Sequence, residues 1–188
     1  MSLIDNTYFI RDLNVPLSSN PALNSQFTAS INRYENEILQ KLLGYQLWKE
    51  FTDAVEAATE QNPLAQKWDS LLNGAEFTFD WNGQTITTKW GGFVNDEKVS
   101  LIANYVYYMH RKNNVSQYSG TAETTAKNEN SVVVNPLNKM VFVWNQMINM
   151  YGNTPYYARN IIALFDSGSY EHYNAEPSAY NFLLANIA

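Results

Sequence analysis

Apolar residues along most of this chain recur at steps of three and four, the spacing of one helical face. Phe27, Ile31, Tyr34, Ile38 and Leu42 predict a helix beginning near Asn24 or Ser25. Gly44 follows Leu42-Leu43 and suits a left-handed cap that ends it. A second helix is expected from about Gln46 to Thr59, striped by Leu47, Phe51, Val55 and Ala58. Asn62-Pro63 then restarts the chain, with Asn as cap and Pro in the first helical position. Leu64, Trp68, Leu71 and Leu72 carry that third helix to Asn73-Gly74. Asn95 or Asp96 is the expected cap of a fourth helix, striped by Val99, Ile102, Val106 and Met109. Asn135-Pro136 opens a fifth, in which Leu137, Met140, Val141, Trp144, Met147, Ile148 and Tyr151 share one side. Phe142 and Val143 lie opposite, a pattern expected of a helix buried nearly all round. Gly152 stops it, and Thr154-Pro155 starts a sixth with Tyr157, Ile161, Leu164 and Phe165 facing the core.

Three stretches break this rhythm. Residues 1–24 read as extended, because Pro16 and Pro21 discourage helix. Phe77, Phe79 and Trp81 alternate with polar residues, Asn82-Gly83 turns, and Thr85 to Lys89 alternates back, which predicts a β-hairpin over 76–90. Trp81 and Trp90 flank this hairpin and are expected to pair across it. The segment 113–135 is far longer than the usual connection of about 4–6 residues. It is rich in Ser, Thr, Asn and Gly and ends in the β-favouring run Val132-Val133-Val134. Such a piece buries too little to fold alone and is suited to adding as a strand to a neighbouring sheet edge. It reads as an arm reaching toward another subunit. The tail 167–188 closes with Pro177 followed by Tyr180, Leu183, Leu184 and Ile187, a short amphipathic helix that either docks on its own core or plugs into a neighbour. The fold class is therefore mainly α. It is a single helical domain over 1–188, a bundle of about six helices with one hairpin and a long extended arm.

Composition narrows the function. The chain has 188 residues, a net charge of −6 and a pI near 4.8. Its twelve Lys and Arg are scattered, with Arg111-Lys112 as the only adjacent pair, a poor basis for clamping nucleic acid. Cys is absent, which excludes disulfides, thiolate metal sites and a Cys nucleophile. Apolar residues make up 45%, yet no run approaches the ~20 residues of a membrane span. Met1 to Asn6 carries no basic stretch followed by an apolar block, so no secretory leader is expected. Thirteen Tyr, nine Phe and five Trp are a heavy aromatic load, which serves cores and interfaces alike.

Candidate chemistry is sparse. His110 and His172 belong to no His-Glu-x-x-His pattern, and His110 near a helix end is expected to be structural. No nucleophile elbow and no Gly-rich phosphate loop occurs. Glu35 and Glu37, two apart on a helix, face different directions. Asp53, Glu56 and Glu60 align as a solvated face. Trp48, Trp68 and Trp144 fall at helical stripes and read as core rather than as a glycan-stacking site. No catalytic, cofactor-binding or metal-ligating residue is assigned, and an enzyme is not expected.

Several segments carry a resemblance. Tyr34-Glu35-Asn36-Glu37-Ile38-Leu39-Gln40-Lys41-Leu42-Leu43-Gly44-Tyr45-Gln46-Leu47-Trp48-Lys49-Glu50-Phe51 is the longest. Lys67 to Gly74, Lys89-Trp90-Gly91-Gly92, Ala103 to Tyr108, Asn113 to Ser116, Gly120 to Glu123 and Asn135-Pro136 through Trp144-Asn145-Gln146-Met147 follow in order. Together, over roughly residues 30–150, they resemble head–tail connector proteins of tailed bacteriophages and prophages, of the type in phages of Bacteroidetes. The resemblance implies a virion protein assembled in the host cytoplasm, a helical adaptor forming a homo-oligomeric ring, typically a dodecamer, between portal and tail. It implies contact with the portal protein and with tail or further neck proteins, passage of DNA through the channel without specific binding, and no cofactor or catalytic residue. An acidic lumen would keep DNA mobile through like-charge repulsion, screened beyond a Debye length of about 8 Å. On the residues' own pattern, the expected interface comprises Tyr118, Val132, Val133, Val134, Tyr180, Leu183, Leu184 and Ile187. The competing readings are a monomeric module whose Tyr-rich surface grips a protein or glycan, and a cell-wall hydrolase using converging carboxylates.

Overall fold

The computed structural model describes residues 2–15, 21–81, 83–114, 117–118, 123–124, 137–152, 161–165 and 170. These form a mainly helical body with an antiparallel hairpin. Its elements are α1 (Pro21–Ala57), α2 (Gln66–Asn73), β1 (Ala75–Trp81), β2 (Gln84–Trp90), α3 (Leu101–Asn114), β3 (Gln117–Tyr118), β4 (Glu123–Thr124), α4 (Leu137–Tyr151) and α5 (Ile161–Leu164). Among the described residues five helices stand, where about six were expected for the chain. The first two predicted helices follow one another within α1 and part at Gly44, whose φ of 73° and ψ of 164° lie outside helical geometry, as expected of a glycine that ends the first of them. Gly tolerates that backbone without a Cβ clash. Leu42, Leu43 and Leu47 on either side of this kink all bury into the same core. The run begins at Pro21, whose ring presets the first helical φ.

Local hydrogen bonding moves two other helix starts. Asn62 does not cap α2. Its N–H donates to Thr59 O at 3.2 Å, while Thr59 N–H donates back to Asn62 O at 2.9 Å, closing a turn of its own. The helix starts only at Gln66, with Ala65 in the cap position and no side-chain cap. Asn95 likewise caps a loop rather than a helix. Its Oδ1 accepts from Val99 N–H at 3.1 Å, and its Nδ2 donates to Val99 O at 2.7 Å and Gly91 O at 3.2 Å. Lys98 takes a left-handed φ of 57° to close this loop, so Val99 precedes α3. Replacing Asn95 with Ala removes all three bonds. It is expected to cost about 2 kcal/mol in chemical denaturation without altering helix content by circular dichroism.

The core centres on α3, which packs between α1 and α4. Every residue from Leu101 to Tyr107 is buried. The expectation that the later helix is buried all round therefore belongs to α3. Helix α4 is amphipathic: Met140, Val143, Trp144, Met147, Ile148 and Tyr151 face inward, while Leu137, Val141 and Phe142 are 57%, 50% and 46% exposed. Seven consecutive buried residues occur because α3 has neighbours on both sides, which a stripe analysis of one helix does not register.

The hairpin is paired from Ala75↔Trp90 to Trp81↔Gln84. Trp81 and Trp90 thus lie at opposite ends of the ladder and do not pair. Gly83 has φ 77° and donates its N–H to Asp80 Oδ1 at 2.9 Å, as a two-residue turn requires. Its apolar face is half-buried at Phe77, Phe79, Ile86 and Thr88 while the intervening residues are exposed.

Residues 2–15 are not simply extended. They form two short 3-10 turns, Asn6–Tyr8 and Arg11–Leu13, and bury Ile4, Tyr8, Phe9 and Leu13 against the bundle. Tyr170 is buried too: its hydroxyl donates to Lys67 O at 2.8 Å and its ring packs on Trp68 and Phe165. Within the predicted arm, Gln117↔Thr124 and Tyr118↔Glu123 pair antiparallel, so the chain doubles back on itself there rather than running extended throughout.

Candidate functional site

Two surfaces stand apart from ordinary packing. The first is the outer face of α4. Leu137, Asn138, Val141, Phe142, Asn145 and Asn149 follow one another at helical spacing and are all exposed. That face carries apolar groups and carboxamides but no charge. Lys139 leans elsewhere, its Nζ 5.4 Å from the centre of the Tyr107 ring. The helix begins directly after the arm.

The second is a cavity of about 360 Å³ lined by Ile10, Arg11, Asp12, Leu13, Lys98, Val99, Asn104, Gln146, Asn149 and Met150. The second 3-10 turn forms one wall, the start of α3 the floor and the last turns of α4 the other wall. Asn104 is 2% exposed. Its Nδ2 donates to Ser100 O at 2.9 Å, but its Oδ1 accepts no hydrogen bond from the described residues. Arg11 and Lys98, both on the cavity wall, are the only non-Gly residues with left-handed φ among the described residues, at 52° and 57°. Such conformations are uncommon for long side chains and persist where surrounding structure enforces them. Here the enforcing contacts are the flanking turn bonds, Leu13 N–H to Ile10 O at 3.0 Å and Lys98 N–H to Asn95 O at 3.3 Å.

Three of the carboxylates weighed in the sequence, Glu35, Glu37 and Asp53, are engaged in the structure. Glu35 is 2% exposed. Its Oε1 accepts from Leu3 N–H at 2.8 Å, and its Oε2 accepts from Ile4 N–H at 3.1 Å and from the Ser2 hydroxyl at 3.0 Å. Burial pushes its carboxyl above the ordinary range, against the pull of these donors. Glu37 points the other way, toward α3. Its Oε1 accepts from the Tyr105 hydroxyl at 2.6 Å and from Lys41 Nζ at 2.7 Å. Partial burial works to raise Glu37, but these two donors and the Lys41 charge outweigh it and hold the group below its usual value. Burial and the Glu37 carboxylate push the Tyr105 phenol well up, the reverse of what a tyrosine general base needs. This Tyr105–Glu37–Lys41 cluster ties α1 to α3. Lys49 and Asp53 form an exposed pair at 2.6 Å, one turn apart. His110 packs its ring edge-on against Phe27 at 4.8 Å; burial first, then the charge of Arg111, lowers its pKa. Trp68, Trp90 and Trp144 are buried and Trp48 half-buried.

Of the expected interface residues, Tyr118 sits in β3. Val132, Val133, Val134, Tyr180, Leu183, Leu184 and Ile187 lie outside the described residues, as does His172. Among the described residues no group of three His, Asp or Glu is placed to hold a metal, and no helix is long and apolar enough to cross a membrane. Sequence reasoning missed the Glu35 clamp and the cavity. Glu35 had a signal: it lies four residues from both Ile31 and Leu39, on the buried face of α1. The cavity had none, since its residues come from four separate stretches of chain. Compared with known proteins, the chain matches no family model, no curated protein and no solved structure.

Proposed function

We propose that this chain is a structural virion subunit: a head–tail connector that forms a ring, a dodecamer as in the family it resembles, between portal and tail. It holds no catalytic role in this reading; it binds copies of itself, the portal and further neck proteins, and lets DNA pass. The observation that carries the reading is the uncharged outer face of α4, where Val141 and Phe142 are 50% and 46% exposed at the foot of a 23-residue polar arm. Large apolar side chains clustered on a surface mark interaction sites more often than chance exposure does. A face without charge loses little in desolvation when a neighbour covers it. The net charge of −6 supports a conduit that does not grip phosphates.

Mass photometry of the chain alone and with its portal tests this. A large homo-oligomer, or a monomer that assembles only on the portal, is expected; a monomer indifferent to portal overturns the reading. Replacing Val141 and Phe142 together with Lys should leave the thermal midpoint within about 2 °C, because both side chains face water, and should abolish assembly. Deleting Gly120–Val134 should do the same. Unfolding of the body on that deletion would instead mean that the arm belongs to the core.

A further inference from the structure

We propose that the outer face of α4 is covered, in the free chain, by the same face of a second copy, the two helices running antiparallel about a two-fold axis. The inference rests on the self-association in the reading above and names the contact that copies make before a portal is present. Asn138, Phe142, Asn145 and Asn149 are exposed and follow one another at steps of four, three and four. That is the seam spacing of paired helices, in which side chains of one helix fill the gaps of the other. At 3.6 residues per turn the four fall within about 60° of one another. Leu137 and Val141 lie together on one flank of this seam.

The seam is symmetric about the midpoint between Val143 and Trp144. An antiparallel copy therefore sets Asn138 opposite the second copy's Asn149 at both ends of the contact, and Phe142 opposite its Asn145. A carboxamide donates and accepts at once, so two of them facing each other satisfy both. Asn at such seam positions fixes register and orientation. Rotation about the two-fold keeps Leu137 and Val141 of both copies on the same flank, where they join into one apolar strip. Leu137, Val141 and Phe142, the large apolar side chains left in water on this helix, are the surface each copy covers.

Charge selects a copy over a foreign partner. A chain of net charge −6 repels its copies wherever acidic surface meets acidic surface. The α4 face has no charged residue at its six exposed positions, so two copies meet there without that cost. A partner recognised through opposite charge finds no group here to pair with. The contact is small, and dissociation in the micromolar range is expected. A two-fold contact does not close a cyclic ring, so the pair covers the face only until the portal recruits the chain.

The chain has no Cys, which makes one introduced thiol an unambiguous reporter. Asn138→Cys and Asn149→Cys are prepared separately, mixed above the dissociation constant and gently oxidised. A disulfide needs Cα atoms roughly 5.5–6 Å apart. The antiparallel pair brings position 138 beside position 149 of the other copy but holds the two copies of either position about 16 Å apart, eleven residues of helix rise. The mixture is expected to give the mixed dimer in about tenfold excess over the dimer either variant gives alone, read on non-reducing gels and by mass spectrometry. Adding Phe142→Lys to both variants sets two like charges beside the two-fold axis and should remove that excess; Phe142 is exposed, and circular dichroism checks that the fold is kept. No excess of mixed dimer, or preferential joining of Asn138→Cys to itself, overturns the proposal. The same preparations added to portal separate the two levels. A ring from chains that give no mixed dimer sinks the pair alone, whereas a mixed dimer from chains indifferent to portal sinks the ring alone.

Discussion

Replacing Gly74 or Gly92 with Ala is expected to be the most damaging single change in the body, at about 4 kcal/mol each and a fall in thermal midpoint of roughly 10 °C. The two glycines face each other where the end of α2 crosses the strand exit at Trp90-Gly91-Gly92. A Cβ on Gly74 would stand 2.5 Å from Trp90 O and 2.9 Å from Gly92 N; one on Gly92 would stand 2.6 Å from Asn73 C and 2.7 Å from Leu72 O. All these obstacles are backbone, which cannot rotate aside. Both positions also hold left-handed φ values, 89° and 81°, where any side chain adds about 1–2 kcal/mol. Separating the strands of chain would break the bonds that the close approach permits: Trp90 Nε1–H to Leu71 O at 2.9 Å and Val94 N–H to Leu72 O at 2.9 Å. Gly83→Ala is the control. It has φ 77° but nothing within 4 Å, so only the strain of about 1 kcal/mol should appear. Urea denaturation of the three variants measures the difference. Equal losses at all three positions would show that backbone conformation, not the crossing, sets the cost.

Glu35→Ala is expected to release residues 2–15 from the body and to cost about 3 kcal/mol. The substitution leaves Leu3 N–H, Ile4 N–H and the Ser2 hydroxyl without their acceptor in a buried place. The strap has a second tie, since Asn95 N–H donates to the Tyr8 hydroxyl at 3.1 Å and Lys98 Nζ lies 4.5 Å from the Tyr8 ring centre. Hydrogen exchange should therefore rise first at Leu3 and Ile4, and later at the two 3-10 turns. Unchanged protection there would mean that apolar burial of Ile4, Tyr8, Phe9 and Leu13 alone holds the strap. The pH dependence has a definite sign. Burial raises the Glu35 carboxyl above its ordinary 4.5, so the folded protein binds that proton more tightly than the unfolded chain does. Its contribution to stability is fully present below 4.5 and is lost as pH rises through the folded value. Asp5 runs the other way: hydrogen bonds from the Thr7 hydroxyl and backbone lower it, so its small exposed contribution is lost on acidification. The difference in stability between wild type and Glu35→Gln, followed by denaturation from neutral pH to about pH 4, should shift in favour of the wild type as pH falls. A flat difference would mean that the carboxyl titrates alike in folded and unfolded chains.

The legible parts of this chain were those in which one element's own period carries the information. Phe27, Ile31, Tyr34, Ile38 and Leu42 are all buried, as their spacing requires, and Asn82-Gly83 marked a hairpin whose register runs from Ala75 to Trp90. Glu35 shows the limit. The sequence showed only that it faces away from Glu37, and its three donors belong to residues more than thirty positions away. Asn62 and Asn95 show another. Both are good cap residues, and both sit in loops instead: Asn62 through its backbone bonds with Thr59, Asn95 through its side chain to Val99.

From the amino-acid order alone came the mainly helical class, the hairpin and the apolar stripes, because each depends on bonds and periods within a few residues. Only the tertiary structure decided that α3 rather than α4 is enclosed, that Gly74 and Gly92 touch, and that Arg11, Lys98, Asn104 and Asn149 share one cavity. Enclosure, close approach and shared cavities depend on which surfaces distant segments turn toward each other, and no local period records that.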